Sequence, residues 1–230
     1  MNPNSIRNLF SKFPIFKNLN DYELDPVVDL AKQRLFRNGS HVFMQGDPIT
    51  NVYFIQEGNV KIYKTDLHGK EQIVNVLQPG DMFPHQGFFR RDACPAHAEA
   101  VGDSILIYIP IESFEHFLIT HPDTCIKLFR HLGDIIMDLQ NRLEEKILHN
   151  TYGQIILLLL RLSKSHGKQI DEETYLITTQ FTNRELANMI GSSRETVSRT
   201  LTQLKKANCI STDEDGAIVV YREKLEDEIF

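Results

Sequence analysis

The chain has 230 residues, 41% of them hydrophobic and 24% charged, with a formal net charge of −6. That is the balance of a globular protein long enough for two ordinary domains, and no apolar run approaches the roughly 18 residues of a membrane span. Three scattered cysteines, Cys94, Cys125 and Cys209, exclude a disulfide framework and lack the close spacing of a zinc or iron–sulfur site. No cofactor, metal or membrane partner is expected. A redox-sensing pair of Cys94 and Cys125 stays open, since both lie in the same half. Met1 to Ser5 lacks a charged region followed by an apolar one, so a cytoplasmic location is expected.

Up to about Leu35 the spacing predicts helix. Tyr22, Leu24, Val27, Val28, Leu30 and Ala31 follow the cap candidate Asn20 at helical intervals. From Arg37 to Pro110 short runs of β-formers alternate with glycine turns. Val42-Phe43-Met44 ends at Gln45-Gly46-Asp47, and Val52-Tyr53-Phe54-Ile55 ends at Glu57-Gly58-Asn59. Val60 to Lys64 breaks at His68-Gly69-Lys70, Gln72 to Leu77 stops at Gln78-Pro79-Gly80-Asp81, and Ile105 to Ile109 closes the series. Regular short strands with such punctuation predict a compact β-barrel or roll.

Helical spacing returns at Glu112. Phe114, Phe117 and Leu118 predict a short helix that stops near Thr120-His121-Pro122, where Pro122 suits the first turn of the next. That next helix is long. Leu128, Leu132, Ile135 or Ile136, Leu139, Leu143 and Ile147 recur at alternating steps of three and four, the spacing of a seam between two copies of a helix. Packing on its own domain is the alternative. A further helix is expected from Tyr152 to Ser165, ending at His166-Gly167-Lys168, and a strand from Thr174 to Thr178.

Thr182-Asn183-Arg184-Glu185 has the form of a capping box, and Ser192-Ser193-Arg194-Glu195 repeats the form ten residues on. Between them Leu186, Ala187 and Ile190 form one short apolar face, broken by Gly191. After them Val197, Leu201 and Leu204 form another. Two short helices joined by a glycine turn make a helix-turn-helix. With Arg194 at zero on a wheel of about 100° per residue, Ser198, Glu195 and Arg199 fall within about 140°, whereas the three apolar residues cluster near 300°. Arg, Glu, Ser and Arg on the free face of a helix N-terminus suit a major groove. Arginine can donate twice to guanine, glutamate can accept from cytosine, and serine is short enough to approach thymine. Glu195 is also a candidate cap, so its two roles compete. From Gln180 to Asn208 five cations face two anions, leaving +3 in a chain that is −6 overall. Asp215-Gly216 is a hairpin turn between Cys209-Ile210-Ser211 and Ile218 to Tyr221, which would form the wing of a winged helix.

Over nearly its whole length the chain resembles the cyclic-AMP receptor protein and FNR family of bacterial regulators. The resemblance rests on the glycines at 39, 46, 58, 69 and 80, on the seam helix, and on the string Gly191 to Arg199. It implies an α+β protein: a cyclic-nucleotide-binding-type β-roll at 1–120, a dimerisation helix at 121–150 and a winged helix-turn-helix at 151–230. It further implies DNA contacts from Thr182, Ser193, Arg194, Glu195, Ser198 and Arg199, and a dimer interface of Leu128, Leu132, Ile135, Leu139, Leu143 and Ile147. Glu195, Ser198 and Arg199 look like the FNR-type set, which implies a palindrome resembling TTGAT-N4-ATCAA. The expected partners are double-stranded DNA and a second copy of the chain, with RNA polymerase as a further candidate.

The sensor end departs from both known types. Pro84-His85 stands where cyclic-AMP binders carry Gly-Glu, and Pro95-Ala96-His97 stands in place of Arg-Ser-Ala, so cyclic AMP is not expected. No cysteine precedes Cys94, so an iron–sulfur cluster is not expected either. His85, Gln86, Arg90 and His97 are the candidates for a small polar effector pocket. Control by an effector, by redox state or by abundance all remain open. No nucleophile elbow, P-loop, HExxH or dinucleotide fingerprint occurs, so enzymatic activity is not expected. The competing reading is an effector-binding roll that does not touch DNA.

Overall fold

The computed structural model describes residues 6, 7, 10, 13–16, 19–85, 88 and 93–229. They form two compact units, 1–137 and 138–230.

In the first unit a 3-10 turn at Pro14–Phe16 precedes α1, Asp21–Val28. Asn20 caps α1 in a reciprocal box, accepting from the Glu23 amide while Glu23 accepts from its own. The helix stops at Val28, not near Leu35. Lys32–Phe36 is instead a strand, β1, paired antiparallel with β6. Leu30 and Leu35 continue the helical spacing, but the backbone of 32–36 finds its partners across the sheet, and long-range pairing overrides local periodicity.

The roll contains β2 (His41–Phe43), β3 (Asn51–Thr65), β4 (Glu71–Leu77), β5 (Met82–Phe83) and β6 (His97–Pro110). The strand order is β1-β6-β3-β4, with β2 added on β6 and β5 on β3. Glu57-Gly58-Asn59 does not turn the chain. β3 runs through it as one strand, shifting register against β6 between Ile55 and Asn59. Gly58 has φ +81, and a Cβ there would lie 2.3 Å from the Ser104 hydroxyl oxygen and 2.7 Å from the Asp103 carbonyl. The glycine marks a bulge where a neighbouring strand passes too close for any side chain.

β3 is buried on both faces. Phe54 points into a cluster with Phe10, Phe16 and Phe114, its ring centroids 5.5, 5.3 and 5.8 Å from theirs. The next residue, Ile55, points the other way, into a cluster with Phe36, Val60, Leu77, Phe83 and Leu106. Beyond the sheet lie α2, Ile111–Thr120, and α3, Pro122–Leu148. The boundary between the two units falls inside α3, after Met137.

The second unit comprises the rest of α3, then α4 (Thr151–Ser165), α5 (Asn183–Ile190), α6 (Arg194–Lys206) and α7 (Arg222–Asp227). These surround a small sheet ordered β7-β8-β10-β9, with β7 at Gly167–Gln169, β8 at Thr174–Ile177, β9 at Ile210–Thr212 and β10 at Ile218–Tyr221. α4 supplies the centre of the core. Ile155, Ile156, Leu159 and Leu162 meet Leu186, Val197, Leu204, Ile210 and Val220.

Candidate nucleic-acid interface

Thr182 caps α5 as the sequence predicts. Its hydroxyl accepts from the Glu185 amide, and the Glu185 carboxylate accepts from the Thr182 amide at 2.8 Å. Leu186, Ala187 and Ile190 are buried. Gly191 ends the helix at φ +68, ψ +35, a left-handed cap that an L side chain resists. Its amide and that of Ser192 both donate to the Ala187 carbonyl. The chain then turns directly into α6.

The cap of α6 is Ser193, one residue later than the second box anticipates. Its hydroxyl accepts from the Thr196 amide at 3.1 Å. Glu195 therefore sits in the first turn and makes no reciprocal cap. Its carboxylate lies 3.5 Å from the Arg199 guanidinium one turn on, with the two side chains 80% and 72% exposed. The competition between capping and base contact at Glu195 is thereby removed. Thr182, Ser193, Arg194, Glu195, Ser198 and Arg199 are all exposed, while Val197, Thr200, Leu201 and Leu204 are buried. The wheel read from sequence is the observed one. Buried Val197 sets the helix on its core and leaves four polar side chains on a convex edge. β9 and β10 form the expected hairpin, with Ile218 opposite Thr212 and Gly216 at φ +84 in the turn.

The seam residues separate into two groups. Leu128 is buried in the core of the first unit and Leu132 packs against it, because α3 begins on the roll. Leu128 is thus committed within its own chain and is no interface residue. Ile135 is half-buried. Leu139, Leu143 and Ile147 are 47%, 61% and 71% exposed, as are Ile136 at 56% and Phe129 at 67%. Phe129, Ile136 and Leu143 lie seven residues apart on one line. Phe129, one residue past Leu128, is the exposed member of that pair.

Of the four effector candidates, His85 and His97 are described and sit in different surroundings. Gln86 and Arg90 lie outside the described residues. His85 follows β5, with its ring centroid 5.4 Å from that of His131 on α3. Its Nε2 is buried without a hydrogen-bond partner among the described residues. Burial, helped by the neighbouring His131, holds its pKa down to about 4, so the ring is neutral. His97 lies elsewhere, stacked on Tyr63 at 4.8 Å, and its Nδ1 accepts from the Gln45 amide. His41 completes that second cluster, with Nε2 2.9 Å from the Tyr63 hydroxyl. Burial and the adjacent Glu99 push the Tyr63 pKa up to about 12. All three cysteines are free. Burial raises the thiol pKa of Cys94, reinforced by Asp47, and that of Cys209, reinforced by Glu228. Among the described residues no three His, Cys, Asp or Glu side chains are placed to hold a metal. No helix among them is long and apolar enough to cross a membrane.

An antiparallel roll, a long helix and a winged helix-turn-helix with an exposed Arg-Glu-Ser-Arg edge define a class of DNA-binding transcription regulators. Comparison with known proteins gives the family. Residues 33–121 match the cyclic nucleotide-binding domain and residues 153–228 match the Crp-like helix-turn-helix domain. The chain is 27% identical over 204 residues to the anaerobic regulatory protein of Bacillus subtilis, covering 87% of this chain and 84% of that protein. It is 26% identical over 216 residues to the cyclic AMP receptor protein of Thermus thermophilus, covering 94% and 96%. The solved structure of FixK2 from Bradyrhizobium japonicum shares the fold, with a TM-score of 0.75 at 21% identity over 86% of this chain and 96% of that one. The protein belongs to the CRP/FNR family of transcription regulators.

Proposed function

We propose that the protein acts as a homodimer that reads a palindrome resembling TTGAT-N4-ATCAA, one α6 in each half-site. The observation that carries this reading is the edge of α6. Arg194, Glu195, Ser198 and Arg199 face solvent together, fixed by buried Val197, Leu201 and Leu204. Arg199 donates to guanine and Glu195 accepts from cytosine of the same base pair, while Ser198 approaches a thymine edge. Arg194, Ser193 and Thr182, all exposed, contact phosphates or neighbouring bases, Thr182 while keeping its cap. Pairing runs along the exposed apolar line of α3. An apolar ridge of this length on a single helix is the kind of surface that proteins cover with a partner.

Cyclic AMP does not fit Pro84-His85 and Pro95-Ala96-His97. The raised thiol pKa values of Cys94 and Cys209 disfavour thiolate chemistry there. Control by abundance, or by an effector other than cyclic AMP, fits best. DNA as the partner places the protein in the cytoplasm, with RNA polymerase beside it at promoters.

The test is a gel shift with the TTGAT palindrome against random competitor, paired with sedimentation. The wild type is expected to sediment as a dimer and to prefer the palindrome. Leu139→Glu with Leu143→Glu should give monomers that no longer hold it. A double variant still dimeric would move the interface elsewhere, and a wild type indifferent to sequence would sink the reading.

A further inference from the structure

The end of α3 is fastened to the DNA-reading helices by one lysine. The Lys146 ammonium donates to the carbonyl of Ile190 at 2.7 Å, the last residue of α5. It also reaches Gln154 Oε1 on α4 at 3.2 Å. Gln154 is buried, and its amide nitrogen donates back to the carbonyls of Lys146 and His149 at 3.3 and 2.7 Å. The residue before Lys146, Glu145, pairs with Arg161 of α4 at 2.7 Å. The site that Lys146 touches is chemically apt. The C-terminal carbonyls of a helix have no partners within it and carry the negative end of its dipole. An ammonium with three donors can hold one of these carbonyls and an amide oxygen together. The next residue is Gly191, whose absent Cβ would lie 3.8 Å from the lysine nitrogen. The cation therefore sits at the turn that launches α6.

We propose that Lys146 is a positioning residue for DNA reading. It fixes the turn between α5 and α6 against the segment of α3 that carries Leu139, Leu143 and Ile147. The inference rests on the dimeric reading above. If two chains pair along that segment, the separation of the two α6 helices depends on how firmly each is held to it. Half-site spacing is then set partly by this contact rather than by the base-reading residues.

The experiment measures fluorescence anisotropy on three palindromes, with the four-base-pair spacer and with spacers one base pair shorter and longer, and on a single half-site. Lys146→Met is expected to bind the four-base-pair palindrome about tenfold more weakly, to lose most of its spacer preference, and to keep its half-site affinity. Lys146→Arg, which keeps the cation, should retain the preference. Gln154→Met, which removes one acceptor but leaves the lysine, should shift the preference the same way by a smaller factor. Circular dichroism and sedimentation establish that each variant is folded and dimeric, and Gln154→Met carries the test if Lys146→Met is not. The positioning role is overturned if Lys146→Met weakens every duplex by one common factor or changes none. A wild type without spacer preference would instead remove the dimeric reading, and this role with it.

Discussion

The candidate functional groups of the two units sit in different surroundings. In the roll, desolvation holds His85 neutral and raises the carboxyl pKa of half-buried Asp81, and Tyr63 and His97 stack on one another. In the DNA-binding unit the candidate chemistry stands in water: Arg194, Glu195, Ser198 and Arg199 are exposed above a buried face of Val197, Thr200, Leu201 and Leu204. Groups that face inward respond to protons and packing. Groups kept solvated respond to salt and to an incoming duplex. His85 should therefore give the first unit a pH response, and the exposed edge of α6 should give the second a response to ionic strength.

The contrast can be broken most forcefully at two glycines. Both Gly58 and Gly191 have positive φ, but only Gly58 also lacks room. Gly58→Val should destabilise the roll by about 4 kcal/mol, combining left-handed strain with overpacking. Gly191→Ala should cost only about 1 kcal/mol, since conformational strain acts there alone. Urea denaturation followed by circular dichroism measures both, and equal costs would show that the bulge is not crowded.

Next in size is the pH response. His85 has a folded pKa near 4 against an ordinary 6.5. The unfolded chain binds its proton first, so this term is fully present above pH 6.5 and is lost as pH falls toward 4, amounting to about 3 kcal/mol at most. The raised pKa of Asp81 opposes it at the acid end, where the folded carboxyl takes up a proton early. His85→Leu should flatten the loss between those pH values. An unchanged slope would show that the ring is not dry.

Smaller again, Arg199→Ala should cost about 2 kcal/mol on the cognate palindrome and relax the preference at its G·C pair. A loss shared by all sequences would make it a phosphate contact. Smallest, Thr182→Ala should cost about 1 kcal/mol of stability through the lost cap of α5, read from the thermal midpoint.

The DNA-binding unit was legible because its signals are local. The Thr182–Glu185 box, the break at Gly191 and the Asp215-Gly216 turn each involve residues a few positions apart. One slip there, capping by Ser193 rather than Ser192, is a choice between adjacent serines that only backbone geometry resolves; two others, the strand β7 at Gly167–Gln169 and the helix α7 at Arg222–Asp227, are short elements with no periodic signal. The roll was less legible because its decisions are remote. Gly58 between Glu57 and Asn59 looks like a turn until Ser104 is known to pass beside it. The stretch 32–36 looks helical until β6 offers it hydrogen bonds. His85 has no visible relation to His131 without the fold. Leu128 satisfies a heptad, but periodicity cannot say whether the covering surface belongs to the same chain or another.

The contact between Glu195 and Arg199 has a consequence for how the protein would search DNA. Exposed pairs of this kind are weak, roughly 0.2–1 kcal/mol, so a base pair that offers a better donor and acceptor can open it. If the proposed contacts hold, the two side chains would meet arbitrary duplex as a nearly neutral pair and displace few counterions. Residence on wrong sites would then be shorter, and the decline of affinity with added salt gentler, than a count of arginines would indicate.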